Sequence, residues 1–286
     1  MIIKYVGSKW RIAPWIIKHF PMHKVFVDVF GGSGAMILRK KPSYIEIYND
    51  INSDLVNLFE VIRTRTDEFL EKLQFLMYSR ELYEKWCKEW RSGKRPNDPL
   101  ERALQFLFLM QGSISGKMFS GFSTGVNRNH VNDFRTVDKR IKQFAKRFKH
   151  VVIENRDYKE IFRIYDSPET LFYCDPPYFV PRAKEYYIDG WSYKKHKEFA
   201  KLVNKLQGYV VISYYWFPQL QKWYLDKGWY IDSIEVVKSS ELGNLSKPRT
   251  RVKEYILMNY DWREVPKFVD NYLTIKISIT TKRWIK

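Results

Sequence analysis

The tetrapeptide Asp175-Pro176-Pro177-Tyr178 sets an acid, two prolines and a flat ring directly after the apolar run Leu171-Phe172-Tyr173-Cys174. The run predicts a buried strand. The prolines end it, since neither has an N–H for a sheet ladder, and they fix φ at two successive positions. The Asp175 carboxylate and the Pro176 carbonyl become two acceptors on stiff backbone at a strand's carboxyl end, with Tyr178 and Pro177 alongside. In an open parallel sheet that end is where ligands bind. Two fixed acceptors suit an exocyclic amine such as that of adenine. Its lone pair is delocalised into the ring, so attack on a methyl group drives the nitrogen towards tetrahedral geometry and positive charge. Acceptors that take both N–H bonds stabilise that charge. Positioning supplies the rest, without a tuned general base, and Tyr178 would stack on the base. A base inside a duplex is out of reach and must be turned out, at a cost of a few kcal/mol.

A methyl donor needs its own seat. "VFVDVF" runs into "GGSGAMILRK", where Gly31, Gly32 and Gly34 predict a tight turn before a helix beginning near Ala35, with Phe30 beside the turn. No Gly-Lys-Ser/Thr follows, so this is not a P-loop, and the full G-x-G-x-x-G spacing is missing. Close backbone approach to something compact is what remains. Asp50, roughly 20 residues on at the end of a second strand, suits a ribose diol, since a carboxylate accepts from both hydroxyls. A nucleoside without a pyrophosphate fits, and S-adenosylmethionine is such a cofactor.

The elements that would position these residues follow in order. "KVFVDVF" and "YIEIYND" read as strands, and "SDLVNLFEVIRTR" as a helix with Ser53 at its N-cap. Residues 66–145 then change character: helical patterns alternate with loops rich in Gly, Ser, Asn and basic residues. A basic helix is expected over 138–150, with Ile141, Phe144, Ala145 and Phe148 as its apolar stripe. Strands "HVVIE" and "LFYC", a helix from His196 to Leu206, and strands "YVVISYYW", "SIEVVKSS" and "KEYILMNY" complete the alternation. The expected architecture is a Rossmann-like α/β domain (1–65 and 146–263) interrupted by a mainly helical insertion (66–145). A C-terminal extension (264–286) has no assigned role.

Bulk properties bound the partners. The 286 residues, 45% hydrophobic, suffice for one large domain with an insertion. No apolar run approaches the ~20 residues of a membrane span, no signal peptide is evident, and a reducing cytoplasm is the expected location. Cys87 and Cys174 lie far apart and the five histidines show no ligand spacing, so no metal is expected. Cys174 also lacks the Pro-Cys context of a C5-cytosine nucleophile. Fifty Lys and Arg against 32 Asp and Glu leave +18, which points to a polyanion, nucleic acid before membrane. The 17% aromatic content suits base stacking as well as a dense core.

Four segments in this order resemble the Dam-type DNA adenine-N6 methyltransferases over roughly residues 4–260: "KYVGSKW", "FVDVFGGSGA", "YNDINSDLVNLFEVIRTRTDEF" and "FYCDPPY". The resemblance implies a methyltransferase fold, S-adenosylmethionine as cofactor and double-stranded DNA as substrate, and it admits a companion restriction endonuclease. It puts Tyr5 and Lys9 at the cofactor, Asp50 on the ribose and Asp157, in "ENRDY", at the cofactor adenine, with Asp175 serving both cofactor and base. Tyr5 stands where close relatives of Dam carry tryptophan. The basic segment holding Lys247, Arg249, Arg251 and Lys253 resembles the family's DNA-facing loop. The family reads its target through the insertion, and "SISGKMFSGFSTGVNRNH" does not reproduce the GATC-reading pattern, so that specificity is not carried over. Lys117, Asn127, Arg128 and Asn129 are the expected contacts to base edges or phosphates. Two alternatives stay open: methylation of cytosine N4, whose amine the same acceptors would serve, and a DNA-binding protein of this fold without activity.

Overall fold

The computed structural model describes residues 1–124, 129–178, 191–237 and 251–268. Among them one seven-stranded sheet forms from β1 (Val25–Asp28), β2 (Ile45–Asn49), β3 (Val152–Glu154), β4 (Thr170–Cys174), β5 (Tyr209–Tyr215), β6 (Tyr230–Val237) and β7 (Arg251–Met258). Its order is β3-β2-β1-β4-β5-β7-β6. Neighbours from β3 to β5 pair in parallel, and β7 runs antiparallel to both β5 and β6. The chain reverses its direction of crossover between β1 and β4, which lie side by side in the register Asp28↔Tyr173. The carboxyl ends of these two strands therefore open a crevice, the position where such sheets take ligands.

The central strands read as continuous apolar runs because both faces are covered. With a side-chain period of two, Phe26, Tyr48, Leu171, Tyr173, Val211 and Ile256 fall on one face. Val27, Ile47, Phe172, Cys174, Val210 and Leu257 fall on the other. Helices α9 (Tyr158–Tyr165), α10 (Tyr193–Val203) and α11 (Gln219–Trp223) cover the second face through Phe162, Phe199 and Leu220. The first face carries α1 (Ala13–Ile17), α2 (Ala35–Arg39), α3 (Ser53–Thr64) and the helices of the insertion: α4 (Thr66–Phe75), α5 (Arg80–Arg91), α6 (Pro99–Gly112), α7 (His130–Arg135) and α8 (Val137–Phe148).

The insertion has no separate core. One cluster runs from Phe26 and Tyr48 through Phe59 to Phe144 and Phe148, and on to Trp90, Phe108 and Phe134. The stripe expected on the basic helix is the reason: the rings of Phe144 and Phe148 stack at 4.0 Å, and Phe59 meets Phe144 at 4.5 Å. Arg147 on this helix turns away from solvent to the buried Glu46, which also holds the buried Lys40 at 2.7 Å. Lys139, Lys142 and Lys146 stay exposed.

Several expected boundaries shift. Helix α3 is capped by Asn52, not Ser53: the Asn52 side-chain oxygen Oδ1 accepts from the N–H groups of Asp54 and Leu55, while the Ser53 hydroxyl accepts from Arg102. Helix α10 starts at Tyr193 instead of His196, because Ser192 caps it. Strand β6 begins at residue 230, ahead of the expected 233. No described helix is long and apolar enough to cross a membrane.

Candidate active site

The crevice between β1 and β4 is a cavity of about 610 Å³. Among the sequence-predicted site residues it brings together Tyr5, Lys9, Phe30, Gly31, Gly32, Asp50, Asp157, Asp175 and Pro177, and Lys117 reaches it from the insertion. The glycine turn lies at its floor. Gly31 is needed for close approach: a Cβ there would sit 2.2 Å from the Tyr48 ring. Gly32 and Gly34 take positive φ (+49° and +68°), which glycine adopts without strain. Gly34 stands behind the turn as the N-cap residue of α2, against Phe148. The Tyr48 hydroxyl donates to the Gly32 carbonyl at 2.7 Å and locks the bend to β2.

Asp50 follows β2 and braces the same turn. One carboxylate oxygen accepts from the Gly32 N–H at 2.8 Å, the other from the Asn52 N–H at 2.9 Å. Burial raises its pKa, and those two N–H groups oppose the rise. Each oxygen keeps a lone pair, so a diol can still be accepted. Asp157 caps α9 by accepting from the Lys159 N–H, and it faces the cavity from an exposed position. Phe30 packs with Tyr158, Trp191 and Phe199 to form an aromatic wall.

Asp175 emerges just past β4. Its Oδ2 accepts from Lys9 Nζ at 2.8 Å, and the side chain keeps 18% of its surface open. Burial raises its pKa, while the Lys9 charge and hydrogen bond pull it down. The pairing therefore opposes the protonation that burial favours. Lys9 also donates to the Gly7 carbonyl at 2.9 Å and stands 3.6 Å from Glu254. Pro176 is buried beneath the turn. Tyr178, read from sequence as a stacking face, is buried instead; its ring leans on Tyr215 at 4.7 Å and its hydroxyl donates to Glu254.

Two residues of this site were not singled out from sequence. Asp28 ends β1, is 1% exposed, and lines the cavity. Burial, then the charges of Asp175 and Asp50, hold its pKa well above the carboxylate range. An acid closing an apolar strand just before a glycine turn was the available signal. Glu254, a lone acid in "KEYILM", is the other.

The remaining expectations lie apart from the cavity or outside view. The Asn129 side chain caps α7 by accepting from the Asn132 N–H. Arg251 is exposed at the start of β7, 3.6 Å from Glu235. Asn127, Arg128, Lys247 and Arg249 lie outside the described residues, as does the extension beyond residue 268. Among the described residues there is no group of three His, Cys, Asp or Glu arranged to hold a metal.

Comparison with known proteins agrees with this geometry. Residues 5–239 match the model of the D12 class N6 adenine-specific DNA methyltransferases. A DNA adenine methylase of Haemophilus influenzae is 26% identical over 205 residues, covering 66% of this chain and 67% of that protein. The DNA adenine methylase of Escherichia coli K12 is 27% identical over 184 residues, 62% of this chain and 64% of that protein. A type II methyltransferase of Methanocaldococcus jannaschii, M.MjaIII, is 27% identical over 198 residues, 62% and 68% respectively. The chain thus spans about two thirds of the length of these relatives. With the family model covering most of the chain, and the glycine turn, Asp50 and Asp175 gathered at one cavity, this protein belongs to the D12 class N6 adenine-specific DNA methyltransferases.

Proposed function

We propose that this protein transfers the methyl group of S-adenosylmethionine to the N6 amine of an adenine turned out of duplex DNA. The observation that carries the reading is Asp175, held beside Lys9 at the carboxyl end of β4 and open to the cavity of the glycine turn. The cavity's chemistry fits the cofactor. Asp28, Asp50 and Asp175 line it close enough that the last two raise the Asp28 pKa, so the cationic part of a ligand placed among them relieves their repulsion. When bound, S-adenosylmethionine supplies an electrophilic methyl group. The chain's own residues do the rest. Asp50 accepts from the ribose hydroxyls, Asp157 from the adenine amine, and Tyr5 and Phe30 bound the site with apolar surface. Asp28 faces the cationic amino-acid part. Asp175 and the Pro176 carbonyl take the N–H bonds of the target amine and stabilise the charge that grows there. Lys117, Asn129 and Arg251 are candidates for the DNA-facing surface.

The deciding experiment incubates the protein with duplex DNA and radiolabelled cofactor, then hydrolyses the DNA. Label in N6-methyladenine supports the reading. Label in N4-methylcytosine, or none in DNA, overturns it. Mapping the methylated adenines would then give the recognition sequence.

Two further results are expected. Duplex affinity should fall along a straight line in log[salt], on the order of 10³-fold between about 50 and 200 mM if roughly six phosphates are contacted. A filter-binding or anisotropy series that stays flat would leave the +18 charge without a role in binding. For Lys9→Met the effect is on the pH–rate profile. Asp175 works ionised, so rate is lost as pH falls through its pKa. Removing the cation removes a lowering influence, the pKa rises further, and the acid limb moves to higher pH. An acid limb unmoved from wild type would show that Lys9 does not set the state of Asp175.

A further inference from the structure

We propose that Glu254 is a positioning residue for methyl transfer, holding Tyr178 by its hydroxyl and Asp175 through Lys9. The inference rests on the function proposed above. Glu254 lies on β7 opposite Tyr215 of β5 and is 3% exposed. It accepts from the Tyr178 hydroxyl, and its Oε1 stands 3.6 Å from Lys9 Nζ. The same ammonium bonds Asp175 at 2.8 Å and lies 4.8 Å from the centre of the Tyr178 ring. One cation is thus shared by the buried Glu254 carboxylate, the partly open Asp175 carboxylate and one aromatic face.

The sheet itself has no use for this acid. Strand β7 is apolar from Ile256 to Met258, and a carboxylate turned into such surroundings is costly unless it is paired and hydrogen-bonded. The partners it does find belong to two segments, residues 7–9 and 175–178, and these are the segments that build the acceptor. Glu254 therefore ties the second, antiparallel part of the sheet to the chemistry at β4. It fixes the Tyr178 ring at one end while Lys9 covers its face, and this sets the course of the short turn on which Asp175 and Pro177 meet the cavity. The glutamate touches no reacting atom. Its effect passes through Tyr178 and Lys9, and neither the glutamate nor the tyrosine lines the cavity, so it should alter the rate of transfer far more than cofactor capture.

The test compares wild type, Glu254→Gln, Tyr178→Phe and the double variant. Methyl-transfer kcat and KM are measured with DNA and cofactor, cofactor affinity by calorimetry without DNA, and folding by thermal melting. Glutamine keeps the volume but puts a neutral amide in place of the charged oxygen that accepts from the Tyr178 hydroxyl and faces Lys9. The expected result is a kcat at least tenfold lower for Glu254→Gln, with calorimetric cofactor affinity within twofold of wild type. The same change in the Tyr178→Phe background should cost distinctly less, since the hydroxyl it addresses is gone. A Glu254→Gln kcat within twofold of wild type overturns the proposal, as does an equal loss in both backgrounds. Should Glu254→Gln not fold, Tyr178→Phe decides alone, because it leaves the Glu254–Lys9–Asp175 contacts in place: reduced kcat with unaltered cofactor affinity supports the proposal, and wild-type kcat overturns it. If wild type itself transfers no methyl to DNA, the parent reading fails and takes this proposal with it. Wild-type transfer with an indifferent Glu254 refutes only the role of the glutamate.

Discussion

Asp175→Ala should lower single-turnover methyl transfer by on the order of 10² to 10³-fold, the scale seen when one preorganised electrostatic contact to a developing charge is removed. Duplex binding should survive, because the basic surface is untouched. Part of the loss reaches beyond the acceptor. Lys9, only 8% exposed, would lose its closest carboxylate and keep the Gly7 carbonyl and Glu254 at 3.6 Å. The remaining contacts and the partial exposure of Asp175 make the expected loss of thermal stability modest, well below the ~3–5 kcal/mol of a fully buried broken pair. Asp175→Asn is expected to fare little better, since its amide can present donors where Lys9 already donates. Quench-flow transfer assays beside binding and melting curves separate these effects. Near-wild-type transfer by the alanine variant would remove Asp175 from the chemistry.

Asp50→Ala should weaken cofactor binding on the order of 10²-fold, with duplex affinity unchanged. A hydrogen bond to a charged group contributes roughly 1.5–3 kcal/mol, and about 1.4 kcal/mol is a factor of ten. Losing the diol acceptor alone spans most of that range. The geometry adds a second cause: the Gly32 and Asn52 N–H groups lose their partner. A buried donor left unsatisfied costs about 1–3 kcal/mol, so the glycine turn loosens and the melting temperature falls as well. Calorimetry with the cofactor in the absence of DNA measures the first effect, and melting the second. An alanine variant that binds cofactor as wild type does would take Asp50 out of the site.

What could be read in advance follows the range over which each constraint acts. The glycine turn, the strand broken by Pro176 and Pro177, and the acid closing β2 are local: backbone geometry demands those residue types within a few positions, so spacing betrays them. The central strands were legible as short apolar runs because β1, β4 and β5 are buried on both faces, and for the same reason no alternation told one face from the other. The contact between Lys9 and Asp175 bridges 166 positions, and that between Tyr178 and Glu254 bridges 76. Nothing in either neighbourhood announces its partner; only the order in which strands assemble brings them together. Tyr178 shows the limit most clearly. A tyrosine after two prolines suggests an open ring, yet tertiary packing buries it against Tyr215. Asn52 and Ser53 both have good capping side chains, and Arg102, from another helix, decided between them by engaging Ser53.

The aromatic layer shared by Phe59, Phe144 and Phe148 has an evolutionary corollary. An insertion whose last helix packs its rings against the sheet's own helix cannot be swapped between relatives as a free-standing cassette. Chimeras exchanging residues 66–145 would carry off Phe144, leave Phe59 and Phe148 behind, and melt unless the incoming segment supplied a matching ring. Sequence change in the insertion is thereby channelled into its loops, where replacements leave these rings in contact.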